Sequence, residues 1–216
     1  MIERKFVKEK VKEYQIQEYI GNTLKNVGHA FTRLFRTPLG EKIVIYTSRP
    51  GLVVGKKGEN IKKLTLTLKK TFGLENPQLE ITEIQNPSVN ATIVAERIAN
   101  NIERYGIQKF KAAVHRAMQE VMQAGGLGVE IIISGKVPSA RAKSWRFYQG
   151  HLEKCGNLAI EEMSTAQHNA QLKSGTIGIT VRITPPEIKR PDELSIIKYI
   201  KEVKNEEKGT QSTTTK

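Results

Sequence analysis

Residues 51–74 read GLVVGKKGENIKKLTLTLKKTFGL, and this stretch places two glycines around two lysines directly before an amphipathic segment. The segment that follows is apolar at helical spacing, at Ile61, Leu64, Leu68 and Phe72, so a helix with one apolar face is expected there. Glycine lets the backbone turn sharply, and the start of a helix offers free N–H groups to an anion. The stretch therefore predicts a loop that binds a sugar-phosphate backbone.

Two kinds of phosphate-binding loop combine glycines with lysine in a pattern similar to this stretch. A Walker loop needs a second glycine five residues after the first, followed by Lys and then Ser or Thr. Counted from Gly51, that glycine position holds a lysine, and neither Ser nor Thr follows, so the Walker alternative is excluded. The stretch instead resembles the GxxG loop of a KH domain, which clamps about four nucleotides. The resemblance makes five residues candidate RNA ligands: Gly55, Lys56, Lys57, Gly58 and Lys62.

A bare GxxG is common by chance, so the elements around it matter more than the loop. Charged residues 3–12 predict a solvated helical arm, and residues 14–27 a helix that stops at Gly28. Strands are expected over 30–37, 42–47 and 77–82, with a short apolar step at 52–54 before the loop. The order matches the α-β-β-α-α-β order of the KH type II fold, with the GxxG loop between the two successive helices.

The composition favours a polyanionic partner. The chain has 216 residues, a formal net charge of +13 and a sequence pI of about 9.8. A protein this basic usually faces nucleic acid or, alternatively, an anionic membrane surface. No apolar run approaches the ~20 residues of a membrane span, and the N-terminal sequence lacks the apolar core of a signal peptide. A single cysteine, Cys155, excludes an internal disulfide and fits a cytoplasmic location. No metal-ligand spacing appears, so no metal or cofactor is expected.

Two helices are expected after the KH order ends. The first is predicted over 91–104 with Ser88 as its N-cap, and the second over 107–124. Phe110, Val114, Ala117 and Val121 predict the buried side of the second helix, with Met118 and Met122 on its flanks. The opposite side is basic and poor in acid, at Gln108, Lys111, His115, Arg116 and Gln119. Such a face is either an ordinary solvated helix surface or an RNA-binding surface.

A basic and aromatic run follows the strand predicted over 129–134. The run SGKVPSARAKSWRFYQG, residues 134–150, interleaves cations with Trp145, Phe147 and Tyr148. Its cations, Lys136, Arg141, Lys143 and Arg146, are candidates for phosphate contact beside bases stacked on the rings. The alternative is a strand whose aromatic side lies in the core while its basic side faces water. Trp145 and Phe147 share one face of such a strand and Arg146 and Tyr148 the other, so both interpretations are compatible.

The remaining pattern completes an α+β protein of two domains. Residues 163–173 are polar and extended, and residues 177–183 alternate with period two. We expect an N-terminal arm and KH type II domain over 1–86. A C-terminal domain over 87–188 should form a mostly antiparallel sheet with helices packed on one face. Residues 189–216 should form a tail with a short helix over 192–203 and a disordered, polar end.

Motifs in both halves resemble the uS3 family of small-subunit ribosomal proteins. The matching stretches are GLVVGKKGENI, FKAAVHRAM, GVEIIISGKVPSARAKSWRFYQG and GTIGITVRI, and the resemblance covers roughly residues 1–188. The SGK…ARAK run is similar to the archaeal and eukaryotic branch, and the short tail to archaeal members. The resemblance implies a structural constituent of the subunit head that binds small-subunit rRNA, mainly through its C-terminal domain, and neighbours other head proteins.

The resemblance also implies a contact with mRNA, in the tunnel through which mRNA enters the ribosome. In the family, adjacent basic residues on the helix after the KH domain face incoming mRNA and help to unwind it. The first of these positions is Lys111, whereas the second is Ala112, a departure from the family pattern. His115 and Arg116 lie one turn further on, at positions where bacterial members are basic. The grip on mRNA is therefore expected to be redistributed to Lys109, Lys111 and Arg116.

Two other classes of function are alternatives to a ribosomal protein. A KH regulator of mRNAs outside the ribosome would need only the N-terminal domain, and the basic C-terminal sheet argues against it. An enzyme that cleaves DNA at abasic sites would use one lysine as a Schiff-base nucleophile. Nothing in the sequence singles out such a lysine, and no paired carboxylates indicate a metal site. The sequence therefore favours a non-catalytic RNA-binding protein without a cofactor or a small-molecule substrate.

Overall fold

A computed structural model describes residues 2–37, 40–74, 76–138 and 140–188 of the chain. The described residues up to Pro186 form one compact unit. The tail predicted over 189–216, with its short helix and disordered end, lies outside the described residues. The architecture below is therefore that of this compact unit.

The N-terminal half follows the predicted order of elements. Helix α1 spans Ile2–Thr23, and strands β1 and β2 span His29–Thr37 and Gly40–Thr47. Helices α2 and α3 span Pro50–Val54 and Glu59–Phe72, and strand β3 spans Gln78–Glu83. This α-β-β-α-α-β order confirms the KH type II prediction, with the glycine loop between α2 and α3.

The first sheet has the strand order β1-β2-β3. Strand β1 pairs antiparallel with β2, and β3 pairs parallel with β2. A parallel neighbour needs a crossover, which α2 and α3 supply. The core beneath the sheet is made of nine buried apolar residues, namely Ile16, Ile20, Leu24, Ile43, Ile45, Val53, Leu64, Leu68 and Leu74. Leu64 and Leu68 of the predicted α3 stripe lie in this core, and Phe72 packs against it.

Three local predictions for the N-terminal half need correction. The charged arm and the following helix are one continuous helix, because no residue between 3 and 23 breaks it. This helix ends at Thr23 rather than before Gly28, and Asn26 takes a positive φ of 68° in the turn that follows. The apolar step at 52–54 is helical, since Pro50 stands at the first position of α2, where a missing N–H costs nothing.

The C-terminal half is a four-stranded antiparallel sheet covered by helices on one face. Helices α4 and α5 span Ala91–Tyr105 and Phe110–Gln123. Strands β4, β5, β6 and β7 span Gly128–Gly135, Lys143–Gly150, Ser164–Leu172 and Gly175–Thr184, and helix α6 spans Asn157–Glu161. The order of the four strands across the sheet is β5-β4-β7-β6. The predicted α+β class and the mostly antiparallel sheet are confirmed.

Alternation along β4 and β7 places the second core between the sheet and the two helices. Ile131 and Ile133 of β4 and Ile179 and Val181 of β7 are almost fully buried against the apolar stripes of α4 and α5. We call the opposite side of this sheet the open face. It carries Ser144, Arg146 and Tyr148 of β5, Glu130 of β4, Thr180 and Arg182 of β7, and Thr165, Gln167 and Asn169 of β6.

Local details of the C-terminal half differ from expectation at helix ends. Asn90, not Ser88, caps α4, because its side-chain oxygen accepts hydrogen bonds from the N–H groups of Thr92 and Ile93. Residues 107–109 form one 3-10 turn before α5, which starts at Phe110. Met118, predicted on a flank of α5, is buried. The division of the chain between residues 86 and 87 stays a prediction.

Candidate nucleic-acid interface

The glycine loop has the backbone geometry that its sequence predicts. Gly55 has φ 71° and ψ −178°, a conformation open to glycine alone. Lys57 and Gly58 follow with φ values of 55° and 74°, in the left-handed region. The Gly58 N–H donates to the Gly55 carbonyl at 3.4 Å, which closes the turn directly before α3. Two glycines and one strained lysine therefore hold the loop at a helix N-terminus, where an anion is favoured.

The neighbours of the loop leave its cations free for a ligand. Asn60 of α3 donates to the Leu52 carbonyl at 3.3 Å, which ties the start of α3 to α2 behind the loop. Lys56, Lys57 and Lys62 are exposed, and none of them forms an ion pair within the described part of the chain. Lys63, in contrast, pairs with Glu59 at 2.6 Å, and this hydrogen bond and charge lower the pKa of the Glu59 carboxyl.

Predicted residues from α5 and β5 meet at one indole ring. The Lys111 Nζ lies 4.6 Å from the centre of the Trp145 ring, and the Lys143 Nζ lies 4.7 Å from it. The other ring of this face, Phe147, makes an edge contact with His115 at 5.4 Å between centroids. The structure therefore brings together Lys111, His115 and Lys143, which are up to 32 residues apart in sequence. Trp145 and Phe147 also pack against Phe110, so the rings serve the core as well.

Four other predicted cations of this half lie in two different places. Lys109 and Arg116 line a surface cavity of about 290 Å³, whose walls also include Tyr105 and Phe110. Lys136 and Arg141 line a more open depression of about 430 Å³ beside Ile107 and Ser174. The Lys109–Arg116 cavity and the Lys136–Arg141 depression do not share a lining residue. The predicted RNA-binding residues thus form several surfaces rather than one continuous site.

Arg146 belongs to a cluster on the open face that we call the Glu130 cluster: Glu130, Arg146, Arg182 and Lys154. The Glu130 carboxylate accepts the Nε–H of Arg146 through Oε1 and an N–H of Arg182 through Oε2 at 3.2 Å. The Lys154 Nζ lies 3.6 Å from Oε1. The side chain of Glu130 is 2% exposed, whereas those of the three cations are 43–51% exposed. Three cations therefore cover one carboxylate, and the cluster keeps an excess of two positive charges.

The environment of Glu130 acts on its protonation in two opposing ways. Burial raises the pKa of the carboxyl, but the hydrogen bond and charge of Arg146, the charge of Lys154 and the hydrogen bond from Arg182 together lower it further than burial raises it. The net direction is a lowered pKa, so Glu130 is ionised at neutral pH. Sequence reasoning missed Glu130, Lys154 and Arg182. Strand register brings Glu130 and Arg182 to Arg146, and the segment after β5 brings Lys154 there.

An aromatic and basic group on the first sheet was also missed. Phe31 stacks on Tyr46 across β1 and β2, with ring centroids 4.4 Å apart and an interplanar angle of 24°. The Arg33 guanidinium lies 5.2 Å from the Phe31 ring centre and 6.0 Å from that of Tyr46. The alternation predicted for the strand over 30–37 could have indicated part of this group, because it places Phe31 and Arg33 on the same face of the strand.

Other kinds of site find little support within the described residues. No group of three or more His, Cys, Asp or Glu side chains in the described ranges would hold a metal ion. Cys155 is exposed and free. Among the helices that the structure describes, none is long and apolar enough to cross a membrane.

Comparison with known proteins identifies both halves. The family model described as "KH domain" matches residues 15–89, and the one described as "Ribosomal protein S3, C-terminal domain" matches residues 98–183. The chain is 42% identical over 205 residues to the small ribosomal subunit protein uS3 of Methanocaldococcus jannaschii, which covers 95% of this chain and 97% of that protein. The uS3 protein of Methanococcus aeolicus is 38% identical over 196 residues, covering 91% of this chain and 93% of its own. These archaeal relatives agree with the predicted branch, and the chain belongs to the uS3 family of small ribosomal subunit proteins.

Proposed function

We propose that this chain is a non-catalytic, structural RNA-binding component of the small ribosomal subunit, in the cytoplasm. It binds small-subunit rRNA in the subunit head, lies beside other head proteins and lines the tunnel through which mRNA enters. The observation that carries the proposal is the similarity of almost the whole chain to uS3 proteins, at 42% identity over 95% of its length. The net charge of +13 supports the same conclusion, because rRNA is a polyanion.

Affinity for rRNA is expected to come from phosphate contacts made by exposed cations. The Glu130 cluster and the Lys136–Arg141 depression supply such cations in the C-terminal half, and the glycine loop supplies them in the N-terminal half. Each phosphate that is neutralised releases counterions, so binding should weaken steeply with salt. Shape and a few unpaired bases would then supply the specificity.

The contact with mRNA is assigned to the outer side of α5. Lys111, His115 and Arg116 are exposed there, and Lys109 stands directly before the helix. Ala112 offers no charge between them, so the grip is shared by residues one turn apart. An electrostatic grip of this kind holds single-stranded mRNA after its bases have separated, and it uses no nucleotide of its own.

Sedimentation tests the ribosomal part of the proposal. A tagged copy of the chain is expressed in the organism from which it comes, and the lysate is run on a sucrose gradient at moderate and then at high salt. We expect the protein to travel with the small subunit at moderate salt, and protein–RNA crosslinks to map to rRNA of the head. A protein that stays at the top of the gradient would contradict the proposal.

The mRNA contact needs a separate test. The double variant Lys111→Gln with Arg116→Gln should slow translation of an mRNA with a stable hairpin downstream of the start codon, and leave an unstructured mRNA unaffected. The matched control is Lys69→Gln with Lys70→Gln, which removes the same charge from exposed positions of α3. Equal rates for the variant and the control on the hairpin mRNA would refute the role of α5.

Two further parts of the proposal have simple checks. The chain is divided into an arm and KH domain over 1–86, a C-terminal domain over 87–188 and a tail over 189–216, and limited proteolysis should cut first near these boundaries. The absence of catalysis is checked by borohydride trapping on DNA with an abasic site. A covalent adduct that one lysine substitution abolishes would contradict it.

A further inference from the structure

The open face of the C-terminal sheet combines a buried anion with exposed cations. Glu130 is the only acidic residue in the four strands of this sheet, all of which the structure describes. It is also the most deeply buried charged group of that face, at 2% exposure. A buried carboxylate is costly unless it is paired, and here it is paired with the side chains of two arginines from the two neighbouring strands. The arrangement fixes both arginines in place.

The two arginines keep most of their hydrogen-bond capacity. Arg146 uses its Nε–H and Arg182 uses one terminal nitrogen in the hydrogen bonds to Glu130 that the described residues show. A guanidinium group has five N–H donors, so each arginine retains donors for a second acceptor. Both side chains are about half exposed, at 51% for Arg146 and 43% for Arg182. The unused donors therefore belong to side chains that solvent, or a ligand, can reach.

Register sets the spacing of the pair. Arg146 in β5 lies opposite Ile132 of β4, and Arg182 in β7 lies opposite Glu130. The backbones of the two arginines thus stand on either side of one strand, roughly 10 Å apart across the sheet, and their side chains converge on the Glu130 carboxylate. Tyr148 lies opposite Glu130 on the β5 side, and the Arg146 guanidinium lies 5.5 Å from its ring centre. The neighbouring positions on β6, Thr165, Gln167 and Asn169, are exposed and neutral.

We propose that Glu130 is a positioning residue that holds Arg146 and Arg182 as a preorganised pair for two phosphates of an RNA backbone, with Lys154 adding charge and Tyr148 a stacking surface. The inference rests on the proposed function as an RNA-binding protein and names the place and chemistry of one rRNA contact. An excess of two positive charges, three exposed hydrogen-bonding neighbours on β6 and no second carboxylate in the strands match a polyanion. A guanidinium group held in one orientation suits a phosphate, because it can donate two parallel hydrogen bonds to two phosphate oxygens.

The substitution Glu130→Gln separates positioning from charge. It removes one negative charge, so electrostatics alone predicts tighter binding of RNA by the variant. If Glu130 positions the arginines, the variant should bind transcribed small-subunit rRNA about tenfold more weakly, and the slope of log K against log salt should become shallower by about one to two. The control Glu83→Gln has the same charge change at an exposed position of β3 and should bind as tightly as the wild type or slightly tighter.

Charge-preserving variants keep the test valid if Glu130→Gln does not fold. Arg146→Lys and Arg182→Lys retain a cation beside the Glu130 carboxylate but lose the planar guanidinium group with its several N–H donors. Each should therefore weaken binding of the full chain to rRNA about three- to tenfold at an unchanged melting temperature. Binding by these variants equal to that of the wild type, or binding by Glu130→Gln as tight as that by Glu83→Gln, would overturn the inference. A wild-type chain that does not bind the rRNA at all would instead refute the proposed function.

Discussion

The Glu96 carboxylate of α4 accepts the backbone N–H of Gly28 at 3.0 Å, although the two residues are 68 positions apart. The same carboxylate also accepts the N–H of Asn26, which stands in the left-handed region with φ 68°. Glu96 is 8% exposed, and its carboxylate is the hydrogen-bond acceptor for these two backbone N–H groups in the turn between α1 and β1. A side chain of the C-terminal half thus completes a turn of the KH half.

Replacing Glu96 should destabilise the protein more than its position on a helix suggests. The variant Glu96→Ala leaves the backbone N–H groups of Asn26 and Gly28 without their side-chain acceptor. Both lie in a turn that is only partly buried, where water replaces part of the lost hydrogen bonding, so we expect the free energy of unfolding in urea to fall by about 1–3 kcal/mol. The control Glu18→Ala changes an exposed residue of α1 and should alter stability by less than about 0.5 kcal/mol. Equal losses in the two variants would show that the turn does not depend on Glu96.

The two loop glycines should differ in their tolerance of alanine. A Cβ at Gly55 would lie 2.5 Å from the Asn60 Nδ2 and 2.7 Å from its Cγ, whereas a Cβ at Gly58 would meet nothing within 4 Å. Gly58→Ala should therefore cost only the left-handed penalty of about 1–2 kcal/mol. Gly55→Ala adds a clash to a glycine-only conformation and should cost about 2–4 kcal/mol. Urea unfolding measures both, and a Gly55→Ala variant as stable as Gly58→Ala would contradict the loop geometry.

The loop lysines should affect RNA contact without affecting the fold. The double variant Lys56→Gln with Lys57→Asn keeps both glycines, and asparagine tolerates the left-handed φ of 55° at position 57. Protection of RNA by the KH half in chemical footprints should be reduced, while the melting temperature stays within about 2 °C of the wild type. The control Lys69→Gln with Lys70→Asn removes the same charge from the far end of α3. Unchanged footprints in the loop variant would remove the loop from the RNA-binding surface.

Acid should destabilise the wild-type protein partly through Glu130. Its pKa in the folded state is lowered, so the unfolded chain binds the proton first as the pH falls. The stabilising contribution of the ionised group is complete above its ordinary pKa of about 4.5 and is lost as the pH falls through the lower, folded-state value. Glu130→Gln should be less stable than the wild type at pH 7 and lose less further stability between about pH 5 and 3. Parallel pH profiles of urea unfolding would contradict this linkage.

Local sequence patterns were sufficient for most of the fold. The α3 stripe at Leu64, Leu68 and Phe72, the alternation of residues 177–183 and the glycines of the loop agree with the prediction, because each depends on neighbours within a few residues. Ile61, the first residue of the predicted stripe, is only partly buried. The ends of helices were predicted less accurately. Asn90 replaced Ser88 as the cap of α4, since the intervening residues form a 3-10 turn that the apolar pattern does not reveal.

The same distinction between local pattern and tertiary packing applies to the candidate site. The sequence by itself determined a basic α+β protein with a KH loop, exposed cations on α5 and a strand with aromatic and basic sides. Only the tertiary structure decided that Lys111 and Lys143 share the Trp145 ring, that Glu96 serves Gly28 and that Glu130 holds Arg146 and Arg182. Helix periodicity and strand alternation fix which side of an element a residue occupies. Strand order and register, which depend on packing of the whole core, fix which residue it meets.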